Sequence, residues 1–250
     1  MSSSIPIFQG TNIKIGENVS FGHYVIIYDN VSIGDGTVIG DFCIIGEGPT
    51  GASTFIGQHC IIRSHSILYA GAHLGDFVQT GNRATIREES FVDHHAVIGL
   101  GSELQGNCSV GAYTRIQSYV TVGQQAEIGK FVFIYPLCVL TNDPLPPSKV
   151  KEGVCIGDFS QIASGSILLG GADIGRFSLV GASSKVGGIF EDDSYIEGNP
   201  GRRMGKLSKM PFFNKEGKRH YPWPYHYSTN MPWDGLDFDE WALANNIRLF

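Results

Sequence analysis

The sequence has few long charged side chains and no long apolar run. Lys, Arg, Asp and Glu make up 17% of the 250 residues, and the formal net charge is −6. This acidic balance gives no general attraction to nucleic acid or to an anionic membrane surface. No apolar stretch approaches the roughly 18 residues of a membrane helix, and the first residues lack the basic and apolar segments of a secretory signal. We therefore expect a cytoplasmic protein that binds neither nucleic acid nor membranes.

Cysteine is scarce, with five residues in the chain. Four of them, Cys43, Cys60, Cys108 and Cys138, recur at one small position of the repeat described below. Small side chains at that position are expected to pack in the interior. The spacing matches neither a zinc-site pattern nor a disulfide framework. The sequence therefore predicts no bound metal ion and no disulfide.

A six-residue repeat dominates the chain, and glycine is abundant, with 33 residues. Every sixth residue, the guide position, is large and apolar, and Thr80 is the polar exception. The guides run in phase through the blocks Ile15 to Ile45, Ile56 to Leu140 and Ile156 to Val186. Glycine follows most guides, where it is expected to let the backbone bend at a corner. Each hexad therefore predicts a short strand followed by a turn.

This pattern resembles the hexapeptide-repeat superfamily of left-handed parallel β-helices, and residues 13 to 206 carry the resemblance. It implies an all-β fold in which three hexads form one triangular coil, with about nine coils in total. We expect a β-helix domain at residues 1–206 and a C-terminal extension at residues 207–250. The extension is rich in aromatic residues and proline. So much aromatic surface seldom stays exposed, so we expect it to pack on the prism or on a neighbouring subunit.

Two insertions interrupt the repeat, one between Ile45 and Ile56 and one between Leu140 and Ile156. With the faces counted as A, B and C from Ile15, both insertions follow face C and should project from one edge. Along that edge, groups that form hydrogen bonds often replace the glycine that follows the guide. Surface corners tolerate insertions in any case, but two loops at one polar edge predict the walls of a site.

The segment between the insertions resembles N-acyltransferases that modify nucleotide-linked amino sugars. In that family, R-S-x-[TS]-V-[IL]-Y-A-G leads to T-G-H-x-x-x-I-R-E, and T-N-D or a similar triplet opens a later loop. The matching positions are Arg63, Tyr69, Thr80, Gly81, Arg87, Glu88, Asn142 and Asp143. One position departs from the pattern, because the family's histidine after Thr-Gly is Asn82 here. Asparagine cannot take up a proton, so a general base at this position is excluded.

The resemblance implies transfer of an acyl group, expected to be acetyl, to the amine of a dTDP- or UDP-linked amino sugar in surface-polysaccharide synthesis. The candidate catalytic residues are Asn82, Glu88 and Asp143. Asn82 would hold the amine or polarise the thioester carbonyl, and Glu88 or Asp143 would accept a proton or hydrogen-bond the sugar. The candidate substrate-binding residues are Arg63, Tyr69, Arg87, Glu89, His94 and Asn142.

The distance between two of these candidates implies an assembly. Glu88 and Asn142 lie three coils apart in the repeat, or roughly 14 Å along one edge. One chain is therefore not expected to place both side chains on one atom unless the second loop folds back. A site shared between the subunits of a homotrimer, as the superfamily uses, would relax this constraint.

The end of the repeat, residues 197–206, resembles the G-N-P-A-K close of coenzyme A-dependent members, with Gly201 and Arg202 in place of the last two letters. The resemblance implies a coenzyme A thioester as co-substrate and no permanently bound cofactor. The candidate residues for its adenine end and phosphates are Asn199, Arg202, Arg203 and Lys206. A solvated basic cap is the alternative interpretation of this segment.

Small side chains at another corner are expected to leave space for the pantetheine arm of coenzyme A. They are Ala163, Gly165, Gly181 and Ala182.

Two rival functions stay open. One is an O-acyltransferase for another small acceptor, in which His94 or His95 would supply the base that a hydroxyl nucleophile needs. The other is a β-helical scaffold subunit without catalytic activity.

Overall fold

The computed structural model describes residues 7–48, 51–217 and 220–247, and these residues form three long β-sheets around one core. The first residues, on which the expectation about a secretory signal rests, lie outside this range, as do residues 49 and 50 of the first insertion. Residues 218–219 and 248–250 of the extension also lie outside it.

The hexads form the three faces of a triangular prism. Face A consists of the strands Lys14–Ile15, Val31–Ile33, Thr54–Ile56, His73–Leu74, Phe91–Val92, Ser109–Val110, Glu127–Ile128, Cys155–Ile156, Asp173–Ile174 and Ile189–Phe190. Face B consists of Ser20–Phe21, Val38–Ile39, Ile61–Ile62, Gln79–Thr80, Val97–Ile98, Arg115–Ile116, Phe133–Ile134, Gln161–Ile162, Leu179–Val180, Ser194–Gly198 and Gly201–Lys206. Face C consists of Ile7–Phe8, Ile26–Ile27, Ile44–Glu47, Ile67–Tyr69, Thr85–Ile86, Glu103–Leu104, Thr121–Val122, Val139–Leu140, Ile167–Leu168 and Lys185–Val186.

Each strand pairs in parallel with the strand one coil away, as Ile86 pairs with Leu104. The predicted left-handed parallel β-helix of about nine coils is confirmed, and the described residues complete about ten turns. The A/B, B/C and C/A corners are the turns that follow the strands of faces A, B and C. Four strands lie outside the predicted hexads, and the parallel pairing of three of them slips out of the 18-residue phase, for example Ile7 with Ile26 and Ile174 with Phe190. The last strand, Gly201–Lys206, turns back and pairs antiparallel with Ser194–Gly198.

The core is the stack of guide side chains, and the hydroxyl of its polar member, Thr80, is hydrogen-bonded. Thr80 is 1% exposed. Its hydroxyl accepts a hydrogen bond from the backbone N–H of Arg63 at 2.9 Å and lies 3.1 Å from the hydroxyl of Ser66. The predicted packing role of the four repeat cysteines is confirmed by their burial. Burial raises the pKa of Cys43 and Cys60 to about 11, so these thiols stay protonated.

The expectation that the glycine after the guide provides the bend is corrected by the backbone. The left-handed conformation lies at the third residue after the guide, as at Phe77, where φ is 59°, and Arg83, where φ is 60°. The glycine is required because the next coil is close. A Cβ on Gly34 would lie 2.7 Å from the backbone nitrogen of Gln58.

At the A/B corner the left-handed position carries an aromatic ladder. Neighbouring rings lie 4.6–5.3 Å apart between centroids. The ladder consists of His59, Phe77, His95, Tyr113, Phe131, Phe159 and Phe177. The extension covers its later part and forms a second hydrophobic cluster there, with Trp233 fully buried. The indole N–H of Trp223 donates to the carbonyl oxygen of Phe159 at 2.9 Å. The extension therefore packs on the prism of its own chain.

The extension contains the short 3₁₀ turns Leu207–Lys209 and Trp223–Tyr225 and the α-helix Phe238–Ala244. Asp237 caps this helix by accepting from the backbone N–H groups of Asp239 and Glu240. Within the described ranges, none of the helices is both long and apolar enough to cross a membrane.

Trp233→Ala should release the extension from the prism, because it removes the largest fully buried side chain of the second cluster. Replacement of a buried aromatic residue by alanine costs about 3–5 kcal/mol. We expect limited proteolysis to cut the variant within the extension while the prism stays intact. Leu243→Ala, in the same extension but at a residue that is 81% exposed, is the control and should behave as the wild type. A Trp233→Ala protein as resistant as the wild type would contradict this account of the docking.

Candidate functional site

Both insertions leave the prism at the C/A corner, as predicted. The first follows the strand Ile44–Glu47 and the second follows Val139–Leu140, and both strands belong to face C. The coils between the two loops expose a polar column at this corner. The site described here is built on that column.

Tyr69, Arg87 and Glu88 form a cluster at the C/A corner. The guanidinium carbon of Arg87 lies 5.6 Å from the ring centroid of Tyr69, which is within the range of a cation–π contact. Arg87 also donates from Nε to the carboxylate of Glu88 at 3.0 Å. The side chains of Arg87 and Glu88 are 37% and 26% exposed. The cluster is thus ordered by its own contacts and still open to a ligand.

The charge of Glu88 is fixed by its neighbour. Burial raises the pKa of this carboxyl, but the hydrogen bond and the positive charge of Arg87 outweigh it, so that the pKa lies below its ordinary value. The same pair raises the pKa of Arg87. Glu88 is therefore a carboxylate at neutral pH and a weak proton acceptor. The arrangement suits it to hydrogen-bond a hydroxyl or amine group.

The second predicted carboxylate, that of Asp143, is hydrogen-bonded within the second loop. Asp143 accepts from the backbone N–H and the hydroxyl of Ser148, at 2.8 and 2.7 Å, and from the N–H of Leu145 at 3.0 Å. These bonds, first of all the one from the Ser148 hydroxyl, lower the pKa of Asp143. The backbone carbonyl of Asn142 accepts from the N–H of Glu152, which ties the two ends of the loop together. The observed contacts of Asp143 shape its own loop.

The predicted residues on the first half of the repeat do not all share a corner. Arg63 and Asn82 lie at the B/C corner, and the side chain of Asn82 is exposed. Glu88 lies on the same coil as Asn82 but at the C/A corner, beyond the strand Thr85–Ile86 of face C. Glu89 also lies at the C/A corner, where it is exposed and takes the left-handed turn conformation with φ of 53°. One chain therefore presents Asn82 and Glu88 on two different edges.

The small residues predicted to line a donor track lie at the B/C corner, further along the edge that carries Asn82. Ala163 and Gly181 follow face B strands that pair directly, and Ala182 lies beside Gly181. A Cβ on Gly165 would meet only the Ser183 hydroxyl within 4 Å, at 3.6 Å, so the surface beside it is open. The track and Asn82 thus share one edge of the prism.

The basic segment at the end of the prism forms a hairpin. Asn199 lies in the turn between the antiparallel strands Ser194–Gly198 and Gly201–Lys206. Arg203 is held within the chain by an ion pair with Glu191 at 2.6 Å and by donation to the hydroxyl of Ser194 at 2.9 Å. Arg202 and Lys206 are exposed on the same strand. These two cations are therefore more available to a phosphate than Arg203 is.

His94 lies at the A/B corner, away from the other predicted residues. Its Nδ1 lies 3.3 Å from Nδ1 of His95, and burial lowers the pKa of His95. His94 lines a cavity of about 400 Å³ that is closed on the other side by Trp241 and Asn245 of the extension. Three or more metal-binding side chains do not cluster here or elsewhere in the described ranges.

The sequence did not locate a second cavity, which lies where the extension crosses face B. Its lining includes Gln161 from the prism and His220 and His226 from the extension. The aromatic composition of the extension was a signal for docking. The composition could not predict where on the prism the extension docks, because the extension has no repeat that relates it to the coils.

Comparisons with known proteins agree with this architecture. The family model described as bacterial transferase hexapeptide (six repeats) matches residues 12–47. The chain is 28% identical over 88 residues to the acyl-[acyl-carrier-protein]–UDP-N-acetylglucosamine O-acyltransferase of Campylobacter concisus, over 35% of this chain and 34% of that protein. It is 30% identical over 135 residues to the bifunctional protein GlmU of Listeria welshimeri, over 54% of this chain and 28% of that protein. The chain thus spans about a third or less of the length of these curated relatives.

Among solved structures, the UDP-N-acetylglucosamine acyltransferase of Arabidopsis matches with a TM-score of 0.54 and 20% identity, over 82% of this chain and 73% of that chain. At this identity the likeness concerns the fold. The hexad repeat, the three parallel faces and the family model that matches residues 12–47 agree with a parallel β-helix built from hexapeptide repeats.

Proposed function

We propose that this protein is an N-acyltransferase that moves an acyl group, in the simplest case acetyl, from a coenzyme A thioester to the amine of a dTDP- or UDP-linked amino sugar. The observation that carries the proposal is the cluster of Tyr69, Arg87 and Glu88 between the two loops of the C/A corner. Acyltransferases named for UDP-N-acetylglucosamine among its relatives support the class of reaction and of acceptor. The proposed setting is surface-polysaccharide synthesis in the cytoplasm.

The acceptor would be held at the C/A corner. Arg87 offers a planar cation for a phosphate of the nucleotide, and Tyr69 offers a ring for the sugar. Glu88, kept ionised by Arg87, would accept a hydrogen bond from the sugar. Glu89 and Asn142 are proposed as further polar contacts at the same corner.

The donor would lie along the B/C corner. Its pantetheine arm would pass Gly181, Ala182, Ala163 and Gly165, and its phosphates would meet Arg202 and Lys206 near Asn199. An acyl carrier protein, named for one relative, would present the same pantetheine thioester, so the track also fits that donor.

In the proposed reaction the neutral sugar amine attacks the thioester carbonyl carbon. A C–N bond forms, the C–S bond breaks, and the proton lost by the amine ends on the departing thiolate. The amide N–H of Asn82 would donate to the oxyanion that develops on the carbonyl. An amine that is already neutral needs positioning more than it needs a base, and this is compatible with asparagine at position 82.

The separation of Asn82 and Glu88 on two corners supports a site between subunits. We infer a homotrimer in which the B/C corner of one prism faces the C/A corner of the next. Cyclic assemblies repeat one such contact around the ring. Asn82 and the donor track would then come from one subunit and the acceptor cluster from its neighbour.

A second candidate is an O-acyltransferase. His94 favours it, because a histidine at the edge of a cavity of about 400 Å³ is available as a base for a hydroxyl. The Campylobacter concisus relative is named as an O-acyltransferase. Acceptors that carry hydroxyl groups but no amine distinguish this candidate from the leading proposal, because an O-acyltransferase would acylate them.

The direct test is a thiol-release assay with acetyl-coenzyme A and a panel of dTDP- and UDP-linked 3-amino and 4-amino sugars, with their hydroxyl analogues as controls. The proposal predicts release with an amino sugar and a matching mass gain on that sugar. Release with hydroxyl analogues alone would favour O-acylation. Absence of both turnover and coenzyme A binding would overturn the enzyme proposal and leave a scaffold role.

Glu88→Ala should lower kcat/KM for the sugar by about tenfold to a hundredfold, because it removes a charged hydrogen-bond acceptor. Because the pKa of Glu88 lies below its ordinary value, the group stays ionised at neutral pH. The pH profile of kcat/KM should therefore follow the sugar amine, and Glu88→Gln should leave its shape unchanged. Glu127→Ala, at an exposed residue of face A, is the control. Loss of the pH dependence in Glu88→Gln would contradict the proposed role and assign Glu88 as a base.

Mixed assemblies of Asn82→Ala and Glu88→Ala subunits test the shared site. If each site takes Asn82 from one subunit and Glu88 from the next, a random one-to-one mixture should recover about a quarter of the wild-type sites. The measurement is the activity of co-expressed and doubly tagged assemblies against each parent variant. Activity no higher than that of the parents would place both residues of a site on one chain.

A further inference from the structure

The cavity between face B and the extension, called here the face-B cavity, has features of a ligand site. Its volume is about 210 Å³. Phe133 and Gln161 supply the floor from the prism, and Trp223, Tyr227 and the two histidines supply the other walls. The volume lies below the usual range for drug-sized ligands, so the space suits one planar ring rather than a whole nucleotide.

Gln161 is the strongest indication that a polar ligand belongs there. Its side chain points outward from face B, yet the residue is only 6% exposed because the extension covers it. Its backbone N–H donates to the carbonyl oxygen of Ser178. Within the described ranges its side-chain amide has no hydrogen-bond partner. Buried amide groups are normally paired, so an amide that lines a cavity is poised to pair with a bound molecule.

The walls are aromatic and held in place. The ring of Trp223 packs edge-to-face on Phe133 at 4.8 Å, and Tyr227 packs on the same ring at 5.6 Å. The hydrogen bond from Trp223 to the carbonyl of Phe159 fixes the indole. His220 and His226 stack with centroids 5.2 Å apart. Rigid rings around one amide are suited to a flat heterocycle, which stacks on the rings and pairs through its edge.

A cation lies next to the cavity in the same column of face B. Arg115 pairs in register with Phe133, and Phe133 pairs with Gln161, so the three residues follow one another at about 4.8 Å per coil. The Nε atom of Arg115 is buried, and in the described part of the chain it has no hydrogen-bond partner. Guanidinium groups bind phosphate through several N–H donors.

We propose that the face-B cavity binds a nucleoside phosphate, with the base among the aromatic rings, its polar edge on the amide of Gln161 and its phosphate towards Arg115. The inference rests on the proposed function, because both substrates proposed for the enzyme carry a nucleobase. The shared chemistry is a base next to a phosphate. Its source is the pyrimidine nucleotide of the acceptor sugar, in place of the phosphate contact proposed for Arg87, or the adenosine end of coenzyme A, in place of the phosphate contacts proposed for Arg202 and Lys206.

Calorimetric titration of the full chain with UDP, dTDP and 3′,5′-ADP tests the site. We expect at least one of these nucleotides to bind, and Gln161→Leu and Arg115→Met each to weaken its Kd by at least tenfold. Binding of UDP or dTDP alone assigns the cavity to the acceptor nucleotide, and binding of 3′,5′-ADP alone assigns it to coenzyme A. Gln79→Leu, an exposed glutamine on the same face, is the matched control and should bind as the wild type.

The outcomes separate this inference from the proposed function. Equal Kd values for the wild type, Gln161→Leu and Arg115→Met would overturn the site even if acyl transfer occurs. Nucleotide binding that weakens in these variants without any acyl transfer would keep the site and reject the enzyme. Thermal unfolding of each variant checks that the extension stays docked. Absence of binding by every nucleotide to the folded wild type would overturn the inference.

Discussion

The stacking of coils at a fixed spacing is the constraint on which the rest of the structure depends. Each strand of the coils pairs with the strands one coil away, so each side chain there has neighbours at about 4.8 Å in the same column. Inside the prism this spacing requires a continuous stack of guide residues, and Thr80 is accepted there only because its hydroxyl is paired. Outside, it turns each corner into a column with its own chemistry. The aromatic ladder of the A/B corner is the column on which the extension docks.

The same constraint separates the candidate site residues. A column brings together residues 18 positions apart, as it does for Tyr69 and Arg87, but it cannot bring two corners together. Asn82 and the small-residue track lie on the B/C edge, whereas the Arg87–Glu88 pair lies on the C/A edge. A rigid prism cannot close this gap by bending. The proposed site between subunits follows from that rigidity.

The repeat predicted the features that depend on period, namely the three faces, the pairing of successive coils and the common edge of the two loops. It missed Ile7–Phe8 and Ile189–Phe190, whose pairing slips out of phase, and it assigned the bend to the wrong residue of the turn. Contacts that do not recur with the repeat could not be predicted from the sequence. The ion pair of Arg203 with Glu191 and the hydrogen bonds from Ser148 to Asp143 depend on how a hairpin and a loop fold back. The place at which the extension docks depends on packing that no sequence pattern encodes.

A structure of the protein with coenzyme A and a nucleotide-linked amino sugar bound tests the central claim most directly. The account predicts a pantetheine arm along the B/C corner, with its sulfur beside Asn82, and a sugar against Glu88 of the adjacent prism. Coenzyme A bound along a different edge, or a sugar held away from the C/A corner, would contradict it.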